Sequence, residues 1–151
     1  MVGFSGTRGG LTSRQWQALD DFLGWHDPKL GRHGDCIGAD EEFHELCLTS
    51  GIPVVIHPPS NPRYRARCEG AEHILPEREY LARNDDILHG SDLIVACPRG
   101  YEEVKRGSGT WSMIRHARRE HKELYIIYPM GEVLTQEPTV YTYATEWGEV
   151  D

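Results

Sequence analysis

Val2-Gly-Phe-Ser-Gly-Thr-Arg-Gly-Gly-Leu-Thr12 carries an apolar run, a glycine-rich loop and a helix start within a few residues. Val2 to Ser5 has the composition of a short buried strand, and Gly6-Thr7-Arg8-Gly9-Gly10 is the turn that closes it. Gln15 stands three residues beyond Thr12, the spacing of a capping box. Trp16, Leu19, Phe22 and Leu23 then fall on one face at helical spacing. A strand that passes through a tight glycine turn into an amphipathic helix is the opening unit of an α/β chain.

Downstream, the same alternation recurs. His33 to Ile37 is expected to be a second strand, and Gly38-Ala39-Asp40 leads into a helix whose Phe43, Leu46 and Cys47 share a face before Gly51 stops it. Ile52 to Ile56 reads as a buried strand closed by His57-Pro58-Pro59. Residues 58–76 are irregular, bracketed by prolines, with Arg63, Arg65 and Arg67 alternating through them. Helical spacing returns from Glu77 to His89, followed by a strand from Asp92 to Cys97, a polar loop, and a helix carrying Trp111, Ile114 and Ala117. Leu124 to Tyr128 is a further strand, and Thr139 to Ala144 alternates like an edge strand. Apolar strands interleaved with amphipathic helices predict a Rossmann-like three-layer α/β/α sandwich with a mainly parallel sheet. In such sheets ligands meet the chain beyond the strand C-termini.

The composition narrows the function. The 151 residues fit one domain, 1–151, with residues 129–151 as an acidic C-terminal edge segment containing five acids and no Lys or Arg. Sixteen Lys and Arg against 24 Asp and Glu leave a formal charge of −8. That balance argues against duplex nucleic acid as a partner, because duplex binding needs clustered cations. The apolar runs are too short to span a bilayer, and the N-terminus has no export pattern, so a cytoplasmic chain away from membranes is expected. Four cysteines without a CxxC pair then read as reduced thiols. His33, Cys36, His57, Cys68 and His73 match no standard zinc spacing, so neither a metal nor any other cofactor is expected.

Three glycine-rich junctions are left to carry chemistry. Gly6, Thr7 and Arg8 combine free backbone N–H groups with a guanidinium suited to phosphate or carboxylate. Gly38 and Asp40 open a helix, where Asp40 either caps it or accepts a ligand hydroxyl. Gly107, Ser108, Gly109 and Thr110 open another, with small residues and free N–H groups that suit a phosphate. Glu102 and Glu103 are the loop acids nearest that last junction, and Asn84 lies with Arg83 on an acidic helix.

Three of these segments together resemble the SLOG superfamily, the Rossmann-like group that includes DprA-type and LOG-type proteins. They are Gly3-Phe-Ser-Gly-Thr-Arg-Gly-Gly10, His33-Gly-Asp-Cys-Ile-Gly-Ala-Asp40 and Arg106-Gly-Ser-Gly-Thr-Trp111; Ala82-Arg83-Asn84 followed by Asp92-Leu-Ile-Val-Ala96 adds a fourth match. The likeness covers about residues 2–129 and is nearest to the small stand-alone YspA/YpsA type. It implies a pocket for a nucleotide or nucleotide-derived molecule lined by Gly6, Thr7, Arg8, Gly38, Asp40, Asn84, Gly109 and Thr110, and an association into homodimers or higher homo-oligomers. LOG-type enzymes, which cleave the N-glycosidic bond of nucleotides, carry Gly-Gly-x-Gly-Thr-x-x-Glu. Here the glutamate position holds Met113, a side chain that cannot act as base or nucleophile.

The leading expectation is therefore a nucleotide-binding sensor or sequestering module. An N-glycosidase or phosphoribohydrolase, drawing its acid from Asp40, Glu102 or Glu103, is the alternative. A protein-interaction module with a vestigial pocket, served by the acidic segment with Tyr141, Tyr143 and Trp147, is the third.

Overall fold

The computed structural model describes residues 1–138. In chain order its elements are β1 (Val2–Gly6), α1 (Ser13–His26), β2 (Gly31–His33), α2 (Ala39–Thr49), β3 (Val54–Ile56), a single 3-10 turn (Pro62–Tyr64), β4 (His73–Ile74), α3 (Tyr80–His89), β5 (Leu93–Cys97), α4 (Gly109–Arg119), β6 (Glu123–Ile127) and β7 (Val133–Gln136). They form one sheet in the order β4-β3-β2-β1-β5-β6-β7. All pairs are parallel except β6 with β7. The chain leaves β1 toward one edge and resumes at β5 on its other side, so the topological switch lies at β1 and β5, paired from Val2 with Leu93 to Gly6 with Cys97.

Two apolar cores flank the sheet, as three layers require. Phe4, Leu19, Leu23, Phe43, Leu46 and Ile56 join α1 and α2 to one face, where Phe4 and Phe43 stack with centroids 4.5 Å apart. Ile87, Leu88, Ile94, Trp111, Met113, Ile114 and Leu124 join α3 and α4 to the other. The capping box forms as the spacing predicts: Thr12 Oγ1 accepts from Gln15 N–H at 3.0 Å, and Gln15 Oε1 accepts from Thr12 N–H at 3.0 Å. Gln15 is 1% exposed, and its amide donates to the carbonyls of Pro98 and Ile127, tying α1 to the ends of β5 and β6.

Two expectations about strands need correction, and one further strand was not anticipated. The second strand is Gly31–His33, earlier than 33–37, because Asp35 adopts φ 58° and turns the chain out of the ladder. Its carboxylate holds that turn by accepting from Cys68 N–H and Arg65 Nε–H. The irregular stretch conceals β4, too short to show a period. The antiparallel edge is β7, whose largely exposed side chains lack the apolar alternation that marks a half-buried strand. The strand expected at 139–144 lies outside the described residues. No helix among the described residues is long and apolar enough to cross a membrane.

Candidate functional site: a cavity at the strand C-termini

A cavity of about 940 Å³ opens where β1, β2 and β5 end. The loop after β1 contributes Gly6, Thr7, Arg8 and Gly9, the β2 junction Gly34, Cys36 and Asp40, and the β5 junction Gly107, Ser108, Gly109 and Thr110. Helix α3 adds Tyr80, Arg83 and Asn84, and the crossover before it adds Asn61 and Tyr64. This is the crevice that an open α/β sheet leaves at its switch point.

Charge in the cavity runs against that of the whole chain. Its wall holds Arg8, Arg83, Arg99 and Arg115 but only two acids, Asp40 and Glu79, in a protein of net charge −8. Arg8 is exposed, with its guanidinium 3.9 Å from the centre of the Tyr64 ring. Arg83 is 4% exposed, a charged side chain held inside the cavity wall. Its Nε–H donates to Asn84 Oδ1 at 2.8 Å, and Nη1 donates to the carbonyls of Gly34 and His57 at 2.7 and 3.2 Å. No carboxylate lies within ion-pair distance of it among the described residues.

Asp40 is 6% exposed and accepts from Cys36 N–H at 3.1 Å. Burial pushes its carboxyl up to about 6, against the opposing pull of that N–H and of the Arg83 charge. A carboxylate so placed gives up its proton near neutrality and can then accept hydrogen bonds from ligand hydroxyls.

The two remaining helix starts differ. At α4, Ser108 Oγ accepts from Trp111 N–H at 3.2 Å. The N–H groups of Gly109 and Thr110 have no partner among the described residues, and both residues line the cavity. At α2, Gly38 N–H donates to Glu41 Oε1 at 2.9 Å and Ala39 N–H to Thr7 O at 3.0 Å. Gly38 does not line the cavity. It has φ 91°, and a β-carbon there would collide with the Arg8 carbonyl. Glycine at this position serves the close approach of α2 to the β1 loop.

The loop acids are also placed elsewhere. Glu102 and Glu103 are exposed and outside the cavity wall, and Glu103 Oε2 pairs with Arg115 Nη1 at 3.2 Å. Met113, by contrast, lines the cavity while belonging to the core beneath α4, at 2% exposure.

His33, His44 and Cys68 bring one ligand atom each within 4.8 Å of one another, a grouping that drops Cys36, His57 and His73 from the set considered in the sequence and adds His44. Their hydrogen bonds decide its chemistry. His33 Nδ1 accepts from Asp35 N–H at 2.9 Å, so its proton sits on Nε2, which donates to His44 Nδ1 at 2.9 Å. His44 Nε2–H donates in turn to Glu69 O at 2.6 Å. Burial lowers His33 to about 3, which keeps its ring neutral. To ligate a metal through Nε2, neutral His33 would have to carry its proton on Nδ1, facing the Asp35 N–H. The arrangement does not fit a metal ion; it fastens β2, α2 and the crossover together.

Tyr64, Tyr80, Arg83 and Arg115 are cavity residues that sequence reasoning missed. One signal was present: a long irregular crossover beside a strand end is a common site of binding loops.

No protein-family model matches the chain, and no curated protein matches it in sequence. Solved structures do match in fold. The molybdenum cofactor binding protein of the phototrophic bacterium Rippkaea orientalis superposes with a TM-score of 0.63 at 18% identity, over 84% of this chain and 75% of that one. The structural-genomics target TM1055 superposes with a TM-score of 0.57 at 15% identity, over 82% of this chain and 71% of that one. At these identities the likeness is one of fold: a Rossmann-like α/β architecture shared with both.

Proposed function

We propose that this chain is a single-domain, SLOG-type binder of a nucleotide or nucleotide-derived metabolite, acting as a sensor or sequestering module. The observation that carries the reading is the arginine-rich cavity of an acidic protein, opening at the switch point onto unpaired N–H groups of α4. An anion is the natural occupant of such a place, since helix N-termini and guanidinium groups both favour negative charge. In this reading the α4 junction and Arg8 take the phosphate, while Asp40 faces the hydroxyls of the sugar. A solved neighbour of this fold is named as a molybdenum cofactor binding protein, which supports a small-molecule ligand here.

Calorimetric titration with the four ribonucleoside 5′-monophosphates and their nucleosides tests the reading. At least one nucleotide is expected to bind more tightly than its nucleoside, and a protein that binds none of the eight would end it. Chromatography of the incubated mixtures separates the enzyme alternative. Free base would make the chain an N-glycosidase, with Asp40, the buried carboxyl of the cavity, as its acid–base group. Self-association belongs to the same proposal: Trp25, Leu81 and Ile74 are 87, 62 and 58% exposed, and light scattering is expected to report a mass above the 17.2 kDa protomer.

A further inference from the structure

The geometry points to Tyr80 as a specificity-determining residue, whose hydroxyl donates a hydrogen bond to the anionic group of the ligand at the start of α4. This rests on the anion-binding reading above and deepens it, because Tyr80 belongs to none of the glycine-rich junctions.

Three observations converge on it. Tyr80 lines the cavity, and its ring lies under the Arg83 guanidinium, 4.9 Å from the centroid, so that α3 fixes its direction. Its hydroxyl occupies the space that a β-carbon on Gly109 would take. Glycine at position 109 therefore makes room for a phenol from another helix. Tyr80 is 41% exposed, and its hydroxyl makes no hydrogen bond to a described residue, which leaves it open to a ligand in the cavity. Beside it, Thr110 is 5% exposed as a residue and lines the cavity; its hydroxyl makes no hydrogen bond to a described residue and, since no buried side-chain oxygen lacks a partner, it is open to the cavity. Two open hydroxyls and two unpartnered N–H groups thus belong to neighbouring residues of one arginine-walled cavity. A tetrahedral oxyanion such as a phosphate can accept from all four donors, whereas a carboxylate has only two oxygens to share among them. Tyr80 would be read by the ligand as a donor, and a phenylalanine there would keep the ring and remove only that donor.

The test is Tyr80→Phe, measured by calorimetry with the nucleotide bound in the panel above and with its parent nucleoside. Line broadening of inorganic phosphate in the ³¹P spectrum supplies a probe that needs no base. The expected result is a loss of about tenfold in nucleotide affinity, with nucleoside affinity and melting temperature unchanged and weaker phosphate broadening. Nucleotide affinity equal to that of the unsubstituted protein overturns the role of Tyr80 and leaves the binding reading standing. Equal loss for nucleotide and nucleoside makes Tyr80 a packing residue and also overturns it. Binding of neither nucleotide nor phosphate by the unsubstituted protein ends both proposals together.

Discussion

The α2 and α4 junctions begin alike, with small residues after a parallel strand and a helix to follow, and they end as opposites. At α2 the chain spends its donors on itself: Gly38 N–H on Glu41, Ala39 N–H on Thr7, and the nearby Leu11 N–H on Glu42 at 2.7 Å. At α4 only Trp111 N–H is capped, by Ser108, and the first two helical N–H groups face an open cavity. Glycine content does not distinguish a binding junction from a packing one; the fate of the backbone donors does. The side chains agree. Acids at the start of α2 satisfy N–H groups that would otherwise attract an anion, whereas α4 has no acid in its first turn.

The largest expected effect breaks the α2 junction. Gly38→Ala must place a side chain at φ 91° against the Arg8 carbonyl and should cost about 3 kcal/mol or more in chemical denaturation. Gly107→Ala at the α4 junction has φ 78° but open space, so only the conformational cost of about 1–2 kcal/mol remains. Equal losses would erase the contrast.

Asp40→Asn sharpens it next. The Asp40 carboxyl rises from 3.8 to about 6 on folding, so between pH 4 and 6 the native state holds more protons than the unfolded one. Its contribution to stability therefore falls as pH rises through that window and stays low above it. Asn should stabilise the protein at pH 7 by about 1–2 kcal/mol. His33 and His57, lowered to about 3 and 4, act in the opposite direction and cost stability as pH falls below 6.5. The difference between the pH–stability curves of the two proteins isolates Asp40. Nucleoside affinity should tighten as pH rises through about 6 in the unsubstituted protein and stay flat in Asp40→Asn.

Arg8→Ala comes third. Arg8 sits on the exposed rim, so nucleotide affinity should drop about tenfold in calorimetry, less than for a desolvated pair, with the nucleoside scarcely affected. Ser108→Ala is the smallest: loss of the cap of α4 should cost about 1 kcal/mol in thermal denaturation.

Much of this was legible in the residues themselves. Periodicity from Trp16 to Leu23 and the Thr12–Gln15 box announced α1, and Leu93 to Cys97 announced a buried strand, because 3.6-residue spacing and unbroken apolar runs are local signals. The sequence by itself determined the alternation, the layers and the sheet edge at which the glycine junctions gather. The tertiary structure alone decided which donors stay free. Gly38 could not be told from Gly109 because their partners, the Arg8 carbonyl and the Tyr80 hydroxyl, lie about 30 residues away along the chain. The same holds for Arg83, buried by the carbonyls of Gly34 and His57 on other segments. Hydrogen bonds and steric contacts between distant segments exist only once the chain has folded, and no local pattern of residue types encodes them.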